Sequence, residues 1–228
     1  MNNINNLRHT PRQYLSSEFF CLDTSLANNF SMYQAGVQGD YYLKQSSDIF
    51  FTTPNTNLLD IHISRNGDFF FPYHPQTTTI ANGTGYCIVR PITGTIVATG
   101  GMNGCALDVR WNTRDGTYYF FHDKNGRTLQ LTSPILHQVC RIEATWYYHD
   151  RYVNYLIDQR LLLYDFICVY DGHDWHVGCY GAIHRKTDRV VNTRIISEST
   201  LHAIVYPKHN NNSFYVGTFN NATTLIKR

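Results

Sequence analysis

Charge is what this sequence has least of. Asp, Glu, Lys and Arg together make up 16% of its 228 residues, where about a quarter is usual for a globular chain. The 19 basic and 17 acidic residues nearly cancel, leaving a formal net charge of +2. No basic run exceeds a pair such as Arg185-Lys186, so the electrostatic footprint of a nucleic-acid binder is missing. No apolar stretch nears the ~20 residues of a membrane-spanning helix. Neither nucleic acid nor membrane is therefore expected as a partner. Residues 1–6 are polar and lack the apolar core of a signal peptide, so any export is expected to bypass the classical signal. Six cysteines are far too sparse for a disulfide scaffold, and no Cys-x-x-Cys pair supports a zinc knuckle.

What is present leans toward strands. Tyr (17) and Phe (13) fill the place of charge, and aromatics suit pleated, half-buried surfaces. A chain of this length buries roughly 70% of its unfolded surface and holds a core without disulfide or metal. One domain spanning residues 1–228 is expected. Asn-rich stretches at 2–6, 210–212 and 220–221 read as a terminus and turns, and residues 28–57 carry polar punctuation. Strand-like runs at 58–63 and 68–73 flank Asn66-Gly67, a hairpin signal. Further runs follow over 85–97, 106–111 and 117–122, with turns at Asp115-Gly116 and Asp123-Lys124-Asn125-Gly126. The best helix pattern opens at Ser133-Pro134, with Ile135, Leu136, Val139 and Ile142 at helical spacing, and reaches toward Trp146. A last β-rich block covers 161–170, 175–182, 190–196, 202–206 and 213–219. The sum is an α+β fold, a β-sandwich of mixed twisted sheets with flanking helices and loops.

The six cysteines do not read alike. Cys87 and Cys168 sit in apolar runs and read as small buried hydrophobes. Cys21, Cys140 and Cys179 are undecided. Cys105 follows Thr99-Gly100-Gly101-Met102-Asn103-Gly104 and precedes a strand. Gly104 lets the backbone turn sharply beside the thiol. The glycines leave backbone N–H groups to face an oxyanion. His122 ends the return strand of the same hairpin, and paired strands lie about 4.8 Å apart. Cys105 and His122 are thus cross-strand candidates for a thiol and the imidazole that takes its proton. Asp123, the next residue, points to the opposite face and reads as the start of a turn.

This arrangement resembles the cysteine-dependent protein glutamine deamidases of the Burkholderia lethal factor and cytotoxic necrotizing factor group. The match covers about 30 residues, through Met102-Asn103-Gly104-Cys105 and Phe121-His122-Asp123. The resemblance implies Cys105 as nucleophile, His122 as base and a main-chain carbonyl of Thr99 orienting the ring. It implies Met102, Asn103 and Gly104 as the motif that shapes the oxyanion site. It implies a bacterial toxin or effector that converts glutamine to glutamate on a host protein, a Rho-type GTPase or a translation initiation helicase. The site of action would be the host cytosol, the enzyme a monomer, and no metal or other cofactor would be needed.

Three alternatives stand beside it. A Cys-His protease or transglutaminase shares the nucleophile and base. A non-enzymatic binding module would use the aromatic runs 69–71, 118–121 and 146–148 as stacking platforms, although core packing is their commoner use. A metal at His173 and His176, with Cys179 and His184 near, competes with a turn at Asp171-Gly172.

Overall fold

The computed structural model describes residues 3–23, 41–45, 56–63, 68–71, 84–126, 132–151, 160–191 and 194–228. Two short helices open the chain, α1 (Asn3–His9) and α2 (Pro11–Ser17). Pro11 occupies the first turn of α2, where its missing N–H costs nothing. The Asn-rich residues after Asn3 are thus helical rather than a turn. Ile4, Leu7 and Leu15 on their inner faces are buried.

Strands β1 (Phe19–Asp23), β2 (Tyr41–Gln45) and β3 (Thr56–Ile63) form a small sheet in the order β1-β3-β2, with β1 parallel and β2 antiparallel to β3. The central sheet runs β12-β11-β10-β6-β4, with β13 also paired to β11. Its members are β4 (Phe69–Phe70), β6 (Ile96–Met102), β10 (Arg160–Tyr170), β11 (Trp175–Val191), β12 (Arg194–Val205) and β13 (Tyr215–Phe219). The third sheet runs β14-β9-β7-β8-β5. It contains β5 (Gly85–Val89), β7 (Ala106–Asn112), β8 (Tyr118–Asp123), β9 (Leu136–Ile142) and β14 (Leu225–Lys227).

The layers follow from alternation along the strands. On β6, Val97 joins the core between the central and third sheets, while Ile96 and Ala98 face the helices and β1. On β10, Phe166 and Cys168 point one way, and Ile167 and Val169 the other. Successive strand side chains alternate, so a sheet apolar at every position must be covered on both faces. The central sheet is that middle layer. The α+β, sandwich-like fold expected from composition and pattern is the fold observed.

Two local expectations are overturned. The run after Ser133-Pro134 is strand β9, and only Ala144–Tyr147 form a helical turn, α3. The cause is a bulge. Val109 opposes Cys140 and Arg110 opposes Gln138, so Val139 is an extra residue on β9. Val139 and Cys140 are both buried in succession. That break in the period of two places Val139 and Ile142 at a spacing that mimics a helix. The second correction concerns the hairpin over 58–73. Strand β3 pairs with β1 and β2, whereas β4 lies parallel to β6 in another sheet. Asn66-Gly67 itself lies outside the described residues, as does most of 28–57. Asp68 is tied instead into the central sheet. Its carboxylate accepts the Ile96 N–H at 2.9 Å and pairs with Arg8 from α1.

Candidate active site

The thiol, the imidazole and the threonine come from two facing sheets. Leu107 stands opposite His122 in the β7–β8 ladder. Cys105 stands immediately before β7, two residues from Leu107, and so at the ladder position diagonal to His122. Diagonal neighbours in a ladder stand about 7–8 Å apart. Cys105, Leu107 and Phe120 all enter the core between the central and third sheets. Thr99 reaches that space from the other side, on β6. Thr99 and His122 are 1% and 0% exposed.

Thr99 Oγ1 lies 2.9 Å from His122 Nδ1 and donates to the Phe71 carbonyl at 2.5 Å. A hydroxyl has one proton. With that proton on Phe71, Thr99 accepts from Nδ1–H, which leaves the imidazole lone pair on Nε2. The orienting group is therefore the hydroxyl, where the family resemblance implied the main-chain carbonyl. The reason is geometric. A strand carbonyl lies in the plane of its own sheet, while the side chain crosses to the sheet that carries His122. Burial pushes the His122 pKa down to about 3, so the ring rests neutral at physiological pH.

The segment before Cys105 is shaped by a bulge. Tyr164 pairs with Met102 and Phe166 with Thr99, so β6 spends one more residue than β10 between them. Gly101 adopts a φ of +73°, and Gly104 one of +142°, both in the region that favours glycine. The Gly101 N–H is engaged by Asp165 Oδ1 at 3.2 Å, so it is spent inside the protein rather than offered to an oxyanion. Met102 is the last residue of β6, and its side chain is buried, whereas Asn103 is exposed and Gly104 half-exposed. In the Met102-Asn103-Gly104 segment only Met102 packs inward.

Sequence reasoning missed three supports. Tyr147 Oη donates to the Cys105 carbonyl at 2.6 Å, and burial pushes its pKa well up, so it stays a donor. Phe71 supplies the carbonyl that orients Thr99. Asp165, the acid within the apolar run of β10, lies beneath the bulge. Its isolation among apolar neighbours was the available signal. Asp123 ends β8 and faces away from His122. It pairs with Arg141 at 3.1 Å, and the 124–126 turn follows it.

The cysteines now separate by exposure. Cys105 is 6% exposed, against 2% or less for Cys21, Cys87, Cys140, Cys168 and Cys179. The Asp171–Asp174 segment is a turn: the Asp171 N–H donates to the Asp174 carbonyl at 3.0 Å, and the Asp171 carboxylate accepts the His173 and Asp174 N–H groups at 2.8 Å. His176 uses Nε2 on Asp171 at 2.7 Å and Nδ1 on Tyr215 at 3.2 Å, which orients it for hydrogen bonding rather than shared ligation with His173. The aromatic runs are mostly packed: Tyr118 and Phe120 surround Trp175, and Tyr147 meets Tyr164 edge-on at 4.8 Å. No family model matches the chain, and no curated protein matches it.

Proposed function

We propose that this protein is a cysteine-dependent glutamine deamidase with Cys105 as nucleophile and His122 as general base. The observation that supports the reading is the Thr99–His122 contact, which leaves the lone pair on Nε2, with Cys105 two residues before Leu107, the partner of His122 in the ladder. A Cys, a His and a third group that fixes the tautomer are the parts of an acyl-transfer site.

The imidazole rests neutral, so it starts as a proton acceptor. Its Nε2 takes the Sγ proton as sulfur bonds to the carboxamide carbon. The tetrahedral intermediate collapses with cleavage of the C–N bond, and ammonia leaves with the proton that His122 returns. Water then adds to the thioester, the C–S bond breaks, and glutamate and free thiol are released. Burial of the thiol favours a slender substrate. A glutamine side chain is long and thin, whereas a peptide bond brings its main chain with it, and that disfavours proteolysis. By resemblance the substrate is a host protein, a Rho-type GTPase or a translation initiation helicase, and the enzyme a toxin or effector.

The second reading is a packing role for Cys105, favoured by its 6% exposure. Ammonia release from glutamine-bearing peptides, measured for wild type and Cys105→Ser, separates the two. Release that survives Cys105→Ser, or is absent from wild type on every glutamine substrate offered, contradicts the deamidase reading.

A further inference from the structure

Resting on the deamidase reading, we propose that Asp165 is a positioning residue that sets where Cys105 stands relative to His122. Thr99, which holds the ring, and Cys105, which carries the thiol, are joined by the bulged segment 100–104. What fixes the bulge fixes their offset. Asp165 fixes it from beneath: Oδ1 accepts the Gly101 N–H at 3.2 Å and Oδ2 the Leu22 N–H at 2.9 Å. One carboxyl therefore ties the bulge to β1. A Cβ on Gly100 would overlap Asp165 Oδ1, so glycine there is what lets the carboxyl sit so close.

Asp165 works from the face of the central sheet opposite the thiol. Phe166 next to it faces the site-side core, and Ile167 faces β1. It does not touch a bound carboxamide and acts only through the backbone of 100–105.

The same carboxyl makes the arrangement pH-sensitive. Burial pushes its pKa up to about 7, against the pull of the two N–H groups. The ionised form accepts both bonds strongly, while the protonated form keeps one carbonyl oxygen and weakens the other contact. The groups that face it are few. Strand β1 offers the Leu22 amide, and β6 offers two glycines. Strand β11 offers Tyr180, directly opposite in register, while the Cys179 thiol, whose own pKa Asp165 helps to raise, lies on the other face of the sheet. Glu18 at the end of α2 acts on Tyr180. Among the described residues, the causes of the Asp165 shift include no cation.

The test follows the Cys105 alkylation rate by iodoacetamide, resolved by peptide mass, from about pH 5.5 to 8.5, a range that spans a titration near neutrality. Wild type is expected to show an inflection near pH 7 besides the rise of the thiol itself, and Asp165→Asn to lack it. With a glutamine peptide, Asp165→Asn is expected to lower kcat on the order of 10–100-fold at unchanged KM, as displaced catalytic groups do. An unaltered pH profile in a folded Asp165→Asn overturns the assignment. If that variant does not fold, the wild-type amide NMR shifts of Gly101, Leu22 and Cys105 decide. All three are expected to titrate with the Asp165 carboxyl, and a Cys105 amide that ignores it overturns the assignment. The alkylation profile needs no substrate. An Asp165 effect without glutamine turnover therefore removes the deamidase reading alone, and turnover with an unaltered profile removes only the role of Asp165.

Discussion

The Thr99 hydroxyl meets His122 Nδ1 at 2.9 Å across the gap between two sheets, and donates its own hydrogen bond to the Phe71 carbonyl. One oxygen thus closes a chain from β6 to the imidazole. Thr99→Val keeps the shape and removes the oxygen. It leaves the buried Nδ1–H and the Phe71 carbonyl without that partner, at a cost of about 1–3 kcal/mol. Chemical denaturation is expected to show that loss, with slower alkylation of Cys105, and Thr99→Ser is expected to restore both.

His122 and Asp165 shift stability in opposite directions with pH. The His122 pKa falls to about 3 in the fold from 6.5. The folded state therefore binds fewer protons, and this contribution is whole above about pH 6.5 and erodes as pH falls toward 3. The Asp165 pKa rises to about 7 from 3.8. Its contribution is whole below about pH 3.8 and erodes as pH rises through 7. Urea midpoints across this range are expected to show a weaker acid-side decline in His122→Phe. Asp165→Asn is expected to show a steeper net acid-side decline, because the opposing term is gone. Equal slopes in wild type and His122→Phe would contradict the neutral, buried imidazole.

Gly100 and Gly101 resist alanine for different reasons. At Gly100 a Cβ overlaps Asp165 Oδ1 and comes within 3.2 Å of Leu22 Cδ1, an overpacking that costs about 1–3 kcal/mol. At Gly101 nothing lies within 4 Å, but φ is +73°, a strain of roughly 1–2 kcal/mol. Asp165→Ala is expected to soften the first substitution and not the second. A double-mutant cycle in thermal unfolding reads the difference.

Arg141 clamps the end of β8 beside the site. It bonds Asp108 at 2.9 Å, Asp123 at 3.1 Å, Glu143 at 2.7 Å and the Gly126 carbonyl at 2.7 Å. Asp108 and Asp123 are both buried. Arg141→Met removes the cation they share; Asp108 keeps Arg110 at 2.9 Å, so the loss is about 1–3 kcal/mol. Equilibrium unfolding is expected to show that loss, and adding Asp123→Asn to recover part of it.

The hairpin of β7 and β8 was legible because its alternation is local and its turns carry Asp-Gly and Asn-Gly. That set Cys105 at the start of one strand and His122 on its neighbour. What escaped was non-local. The family resemblance marked Thr99 by its offset from Cys105, but whether its carbonyl or its hydroxyl meets the ring depends on which sheet faces which. Strand β9 read as a helix because the bulge at Val139 breaks the period of two. Tyr147 and Asp165 touch the site from distant chain positions, which no local pattern records.

On the proposed reading, the Cys105 thiol converts glutamine to glutamate on another protein. The most direct measurement is peptide mass spectrometry of a eukaryotic cytosolic extract incubated with wild type or with Cys105→Ser. Wild type is expected to produce amide-to-acid conversion at specific glutamines of one or a few proteins, and Cys105→Ser none. Conversion by both proteins, or by neither, contradicts the deamidase reading.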